Sequence, residues 1–536
     1  MWPSKISSSF ASAKNAKMTQ RTPSNQPVLL CVLGVCFAFL AGARNALYRE
    51  ISLADLRDKI EGGWAGQMIG VSYGAPTEFR SQAKINESEL PKWTPERVSN
   101  ALEQDDLYVD ITLAKVLDER GLNATTYDFG VMFRNAKYPL WHANLAARRN
   151  LKREVPAIRA GMPNHNAHAN DIDFQIESDF IGLMAPGMPQ ATNELAARIG
   201  QMINYGDGIY GGMFISGMYA AAFFENDARK VVEAGLACLH SRSPYAKLIR
   251  DVLAWSAQYP DDWKKVWRLL EDKWDRRDPC PKGALKPYNI DAKINGGYVA
   301  LGLLYGGRDF SKTLEISTRS GQDSDCNPST AAGILGVMLG YRQIPEEWKS
   351  GIPAIADKKF AYTDFSFRSI VESTLKRTIA LVKRNGGRLE GDKLVVKLQP
   401  PKPTRLELWD DYGSPVERIA SSDPRWNFQG PWRSEGQAKI ANQKGAAALI
   451  SFEGRGAIIT GPFLPSGGKA DVFLDGDLDR TIDVYPDEDS AKASEAIWHI
   501  FGLDRGKHTI ALVVRGEPYP GSKGPDIAID DLVVFR

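Results

Sequence analysis

The sequence predicts a multidomain protein, an all-α domain followed by an all-β, jelly-roll-like sandwich. Three observations carry that expectation. From Ile51 to about Lys383 apolar residues recur at three- and four-residue spacing with few β-branched runs, the period of amphipathic helices. Leu398-Gln399-Pro400-Pro401-Lys402-Pro403 then interrupts any regular pattern and reads as a linker. Beyond it, short runs alternate with period two between turn signals. The expected boundaries are a signal peptide at 1–43, a helical domain at 50–390, a linker at 391–412 and a sandwich at 413–536.

Taken in order, Lys5, Lys14, Lys17 and Arg21 precede an uninterrupted apolar stretch from Val28 to Ala41. That length suits a signal-peptide core and falls short of the ~20 residues needed to cross a bilayer. Ala41-Gly42-Ala43 offers the small residues that a signal peptidase accepts, so cleavage is expected after Ala43. A secreted or periplasmic location follows, with a retained signal anchor as the alternative and no stable membrane insertion after cleavage. Cleavage would remove Cys31 and Cys36 and leave Cys238, Cys280 and Cys326, enough for one disulfide at most. Stability must therefore come from buried cores.

The helical pattern is clearest at Ile111 to Glu119, Asn193 to Ile203, Met213 to Phe224, Ala228 to Leu239 and Ile370 to Lys383. Small residues crowd Gly62-Gly63-Trp64-Ala65-Gly66 and Gly211-Gly212, which predicts closely approaching helices. Strands are expected at Ala447 to Phe452, Ala457 to Thr460, Lys469 to Leu474, Thr481 to Tyr485, His508 to Val514 and Ile527 to Val534. Asp475-Gly476-Asp477 and Arg505-Gly506 mark turns, and the spacing fits a sandwich of about eight strands.

Composition narrows the partners. Of 536 residues, 43% are hydrophobic and 25% charged, and 67 Lys plus Arg against 65 Asp plus Glu give a formal charge of +2. With no long basic run, a nucleic-acid partner is not expected.

Three acidic clusters stand out: Glu78 after a glycine-rich helix exit, Gln104-Asp105-Asp106 before the helix expected near Val109, and Asp323-Ser324-Asp325-Cys326-Asn327-Pro328 before the helix expected over Thr330 to Gly340. Helix capping accounts for any one of them. Two acidic pairs brought into one pocket would repel and call for a hard divalent cation with oxygen ligands. A pair of Mg²⁺ ions roughly 3.5–4 Å apart would suit such a cluster. Whether the chain brings the pairs together is a tertiary question.

Residues Ile60 to Glu78, Gln104-Asp105-Asp106, and Asn295-Gly296-Gly297-Tyr298 through Gly340 resemble the ADP-ribosylglycohydrolase family in the expected order. The strongest part is Ser320-Gly321-Gln322-Asp323-Ser324-Asp325-Cys326-Asn327, which looks like the family's metal loop. The resemblance extends over roughly Leu53 to Leu381 and implies an all-helical fold with a binuclear Mg²⁺ centre that holds a ribosyl ring for hydrolysis at its anomeric carbon. It implies metal ligation by Asp105, Asp106, Asp323 and Asp325, with Gln104 and Cys326 completing the ligand positions. It implies general acid/base work by Glu78, with Asp106 and Asp323 as its catalytic companions. The family has Thr where this chain has Gln104 and Cys326. A thiol is a poor Mg²⁺ ligand, so either one ion or two is expected.

The acid-rich segment Asn170-Asp171-Ile172-Asp173-Phe174-Gln175-Ile176-Glu177-Ser178-Asp179 reads either as pocket lining or as a solvated, capped face. Asp173 and Glu177, with Asn295, are the candidate sugar-binding residues. His165 and His168 form a His-x-x-His in a polar loop, for which a plain loop role is the expectation over metal binding. In the sandwich, Trp426, Phe428, Trp432 and Trp498 read first as core and second as sugar-stacking faces, since the region looks like galactose-binding-like modules. The function expected is a secreted, metal-dependent hydrolase acting on a carbohydrate or glycoconjugate with a furanose-like sugar. The alternatives are an ADP-ribosyl-protein hydrolase, which export disfavours, and a non-catalytic carbohydrate-binding protein.

Overall fold

The computed structural model describes residues 47–275, 279–487 and 489–536. The expected signal peptide therefore lies outside the described residues. Among those described, no helix is long and apolar enough to cross a membrane. Both domains belong to one compact unit, Tyr48–Arg536.

The first domain is helical, and one helix pair organises it. Helix α1 (Leu53–Gly74) starts at Ser52, whose hydroxyl accepts from Asp55 N at 2.9 Å. Its glycines recur every fourth residue at 62, 66, 70 and 74, forming a stripe without side chains. Against it lies an antiparallel helix, Cys326–Leu339. A Cβ on Gly66 would stand 2.1 Å from Ala332 O, and one on Gly74 2.1 Å from Ser324 O. Backbone therefore meets backbone along the pair, and the end of α1 is held against the 323–326 loop.

Helix α2 (Asp105–Arg120) begins earlier than expected, because Asp105 and Asp106 form its first turn. Cys326–Leu339 likewise starts four residues before Thr330. In both, polar residues in the first turn hide the apolar period until the buried face begins. Helix α3 (His142–Lys152) runs along the edge that meets the sandwich; α4 (Asp207–Ala222) and α5 (Ala292–Gly306) are buried along most of their length. The 326–339 helix is α6, and Phe367–Arg384 forms α7.

Strands β1 (Tyr48–Ser52), β2 (Arg388–Glu390) and β3 (Lys393–Lys397) form a sheet of order β1-β3-β2, so the two ends of the helical domain are paired. The first residues of the expected 391–412 linker thus belong to a sheet. The remainder is a strap fixed to the helices. Gln399 N donates to Gly187 O at 3.0 Å, Asn193 donates to Lys402 O at 3.0 Å, and Tyr210 donates to Arg405 O at 3.0 Å.

The second domain comprises β4 (Pro415–Ala420), β5 (Asn427–Gln429), β6 (Arg433–Glu435), β7 (Ala438–Ala441), β8 (Ala447–Gly454) and β9 (Gly456–Phe463). It continues through β10 (Gly468–Leu474), β11 (Asp477–Asp483), β12 (Lys492–Ile500), β13 (Gly506–Pro518), β14 (Ile527–Ile529) and β15 (Asp531–Phe535). Two main antiparallel sheets, β11-β10-β13-β8-β5 and β12-β9-β15-β4, are joined by a small one, β14-β7-β6. The expectation of about eight strands undercounts, because three- and four-residue strands carry too little alternation to be read. Strand β12 was not expected at all: its register shifts twice against β9, and Ser494 has φ of +60°, which breaks the period of two.

Trp498 and Trp426 are core residues, and Trp498 donates to Asp479 at 2.7 Å. Phe428 and Trp432 are partly buried and pack on each other with centroids 5.0 Å apart. None of Cys238, Cys280 and Cys326 is in a disulfide.

Basic residues at the end of α3 dock the helical domain onto the sandwich. Arg149 and Arg153 both reach Asp483 at the end of β11, at 3.2 and 2.6 Å, and Arg148 pairs with Asp489 in full burial. The two guanidiniums, outweighing the effect of burial, hold the Asp483 carboxyl at about 2, well below its usual value.

Candidate active site

The helix pair α1–α6 brings the first and third acidic clusters together, and the start of α2 adds the second. Glu78, Gln104, Asp105, Asp173, Asp323, Asp325 and Cys326 line one cavity of about 230 Å³. Asp106 lies just behind it: the Cys326 thiol donates to its carboxylate at 3.2 Å. Thr77 and Ser324 join α1 to the acidic loop through a hydroxyl pair at 2.8 Å.

The loop itself is tightly held. Gln322 has φ of +52°, a left-handed conformation that costs a non-glycine residue about 1–3 kcal/mol. Hydrogen bonds from its amide to Pro287 O (2.9 Å), from Asn289 N to its side chain (2.9 Å), and with Ser81 and Phe79 backbone (2.9 Å each) over-determine it. Phe79 (+50°) and His142 (+44°), two further cavity residues, are left-handed as well. Strain of this kind collects where side chains must be aimed rather than packed.

The electrostatics are those of crowded, buried carboxylates. Burial first and Asp325 second raise the Asp323 carboxyl well above its usual value; burial and Asp105 do the same to Asp106. Asp325 is raised to about 7 by burial and by Asp106. Glu78 stands at the mouth, still open to solvent, and is raised by partial burial and by Asp325 and Asp105. One oxygen each of Asp106 and Asp323 is buried without a hydrogen-bond partner. Donor atoms of Asp323, Asp325 and Cys326 all lie within 4.8 Å of one another. Hard oxygen donors left unsatisfied in a negative pocket are a fit for a divalent cation.

Other expected residues fall differently. Gln104 lines the cavity, but its amide nitrogen is turned to Asn100 at 3.0 Å. Asp173 lines it while capping α3, accepting from Asn144 N at 2.9 Å and Ala143 N at 3.2 Å; the whole segment from Asn170 to Asp179 is buried, so it is not a solvated face. Glu177 is fully buried against the Asn144 amide and is not a lining residue. Asn295 does not line the cavity either: its amide donates to Asp291 O at 3.0 Å and accepts from Asn327 at 2.9 Å, because α5 turns it toward α6. His165 is at the surface with Asn164, whereas His168 is buried beside Asp171.

Sequence reasoning missed several residues here. Trp141, 42% exposed, lines the cavity with Lys492 Nζ 4.0 Å from its ring centroid, and Phe79, His142 and Lys282 line it as well. Asp110 was also missed: behind Asp106 it forms a second buried acidic pair with Asp179, the last residue of the acid-rich segment, and accepts from Phe180 N at 3.2 Å. A signal for Asp110 existed: it lies four residues after Asp106, on the same face of the helix and within its apolar run from Leu107 to Leu113.

A sequence model of the ADP-ribosylglycohydrolase family matches residues 52–377, more than half of the chain. No curated protein matches it. Among solved structures, an ADP-ribosylglycohydrolase-related protein complex aligns with 61% of this chain and 98% of its own, at 13% identity and a TM-score of 0.36. The CBM36-1 domain of a multidomain xylanase from the hindgut metagenome of Trinervitermes trinervoides aligns with 22% of this chain and 94% of its own, at 14% identity and a TM-score of 0.17. A family two carbohydrate esterase from Cellvibrio japonicus aligns with 22% of this chain and 32% of its own, at 15% identity and a TM-score of 0.18. On the strength of the family match, with all three acidic motifs inside it, this chain belongs to the ADP-ribosylglycohydrolase family.

Proposed function

We propose that this protein is an exported, metal-dependent glycoside hydrolase that cleaves at the anomeric carbon of a furanose-like sugar. Family membership supports a glycohydrolase-type activity. The observation that carries the rest is the convergence of Glu78, Asp105, Asp323 and Asp325 on one cavity, with unsatisfied oxygens of Asp106 and Asp323 buried at its base.

Asp105, Asp106, Asp323 and Asp325 would hold Mg²⁺, one ion or two, with Gln104 and Cys326 at the flanking positions. When bound, the ion would neutralise the carboxylates, grip sugar hydroxyls and polarise the reacting centre. Glu78, at the mouth, is placed to move a proton between solvent and the scissile bond as general acid or base. Trp141, 42% exposed where it lines the cavity, offers aromatic surface for a sugar ring. Asp173, already fixed by the start of α3, keeps that wall in position beside the acids. Carbohydrate or glycoconjugate is the substrate class that suits both an exported enzyme and the appended sandwich.

The test is a panel of glycosides and ADP-ribosyl peptides incubated with purified protein in Mg²⁺ and in EDTA. Sugar release abolished by EDTA and restored by Mg²⁺ is the expected result. Cleavage of ADP-ribosyl peptides with every glycoside untouched would replace this reading with the ADP-ribosyl-protein hydrolase. Binding of sugar without turnover of any substrate would replace it with a carbohydrate-binding protein.

A further inference from the structure

Behind the wall of the acidic cavity lies a second cluster of a different chemical kind. Donor atoms of His142, His168, Asp171 and Cys280 all lie within 4.8 Å of one another. His168 Nδ1 is 2.7 Å from an Asp171 carboxylate oxygen and 3.6 Å from Cys280 Sγ. His142 Nδ1 is 3.8 Å from that same Asp171 oxygen and is buried without a hydrogen-bond partner. The other Asp171 oxygen is also buried and unpartnered.

The obvious rival is a Cys–His–Asp catalytic relay, and the geometry argues against it. A relay uses opposite nitrogens of the imidazole, one toward the nucleophile and one toward the carboxylate. Here the thiol and the carboxylate converge on the same nitrogen, Nδ1, which has one proton or one lone pair to offer. Four donors within 4.8 Å of one another, drawn from three segments, are spaced closely enough to share one ion.

The outer nitrogens fit that arrangement. His142 Nε2 is hydrogen-bonded to the Tyr288 hydroxyl at 2.8 Å, and His168 Nε2, which makes no hydrogen bond, is within ion-pair distance (3.3 Å) of a Glu495 carboxylate oxygen on β12 of the sandwich. Metal-bound imidazoles are oriented in this way, with the distal nitrogen directed at a carboxylate or another polar group. Two backbone hydrogen bonds, Ile172 N to Ile290 O and Ala292 N to Asn170 O (2.9 Å each), lock together the two loops that carry Asp171 and Cys280. His142 is set by the strained start of α3.

We propose that His142, His168, Asp171 and Cys280 bind one zinc-type transition-metal ion, at a site that shares the His142 wall with the acidic cavity but none of its acidic residues. Two imidazoles, a carboxylate and a thiolate are four donors of the kinds that suit Zn²⁺ and do not suit Mg²⁺ or Ca²⁺, and the direct 2.7 Å contact between His168 and Asp171 would open as the ion enters. A thiolate and a carboxylate neutralise a dication, so the burial of the cluster leaves no net charge. Four protein ligands leave no open position, which makes the site structural. It ties the cavity wall at His142 to the sandwich through Glu495, and metal binding becomes part of the folding free energy of that junction.

The experiment is metal analysis of the full chain purified without chelators, followed by exchange of its metal for Co²⁺ and optical spectroscopy. One equivalent of zinc is expected, together with strong d–d bands and a thiolate-to-cobalt charge-transfer band. Cys280→Ser should lose the charge-transfer band and Cys326→Ser should keep it, which separates this site from the acidic one. Glu495→Gln should keep the band and weaken the affinity by about 10–100-fold. Failure of the metal-free wild-type chain to take up Co²⁺, or a band that follows Cys326, would overturn the proposal. Should Cys280→Ser not fold, the wild-type stoichiometry and the Cys326→Ser spectrum decide the matter.

Discussion

The Cys326 thiol donates to the Asp106 carboxylate across 3.2 Å, joining the first turn of α6 to the first turn of α2. The contact places a soft, weakly donating group among the carboxylates of Asp106, Asp323 and Asp325.

Replacing that thiol by a hydroxyl should therefore favour Mg²⁺. Cys326→Ser is close to isosteric and supplies a hard ligand, so the Mg²⁺ concentration for half-maximal activity is expected to fall by about tenfold, ~1.4 kcal/mol. Titration of activity against free Mg²⁺ reads this directly, and an unchanged or weakened requirement would remove Cys326 from the metal's surroundings.

Buried like charges make the acidic site costly to the metal-free fold. Asp106→Asn or Asp323→Asn should lower kcat by at least about a hundredfold while raising the melting temperature in EDTA, by the equivalent of about 1–2 kcal/mol. Thermal unfolding and turnover measured on the same samples test both halves. Full activity in both variants would end the catalytic reading of these carboxylates.

The glycine stripe of α1 predicts a large effect from a small change. Gly66→Ala puts a methyl group 2.1 Å from Ala332 O, inside the backbone of the facing helix. A loss of about 1–3 kcal/mol is expected, with activity falling further than stability because the displaced pair carries Glu78 and Asp323. Chemical denaturation gives the first number and initial rates the second.

The Asp483 junction should make the acid limb of stability steeper. Its folded carboxyl titrates at about 2, below the ordinary value, so its contribution is fully present above about pH 4 and is lost as pH falls toward 2. That contribution is about 2 kcal/mol, from a side chain only 12% exposed. Asp483→Asn should be less stable at pH 7 by about that amount and should show a shallower decline below pH 4. Parallel pH profiles for the two proteins would refute the assignment.

Much of the fold was legible, because periodicity is a local property. The switch from three-and-four spacing to alternation marked the passage from a helical to a strand-rich region, and Pro400, Pro401 and Pro403 lie between β3 and β4. The strap character of that segment was not legible, since Asn193 and Tyr210, which hold it, are distant in sequence. Strand β12 escaped because its bulges erase the alternation that identifies a strand.

At the site, the sequence alone determined which residues carry charge and where chains of small residues lie: Glu78, Asp105, Asp106, Asp323 and Asp325 were identifiable from their motifs, and the glycines of α1 from their spacing. Tertiary structure decided which of the other polar residues face the cavity. Asp173 and Asn295 looked alike in sequence, yet one lines the pocket and the other bonds Asp291 and Asn327 within the core. It alone brought His142, His168, Asp171 and Cys280 within 4.8 Å, from three segments that share no motif. Helix and strand patterns record burial one residue at a time. Convergence of polar donors depends on how whole elements pack, which no single stretch of chain contains.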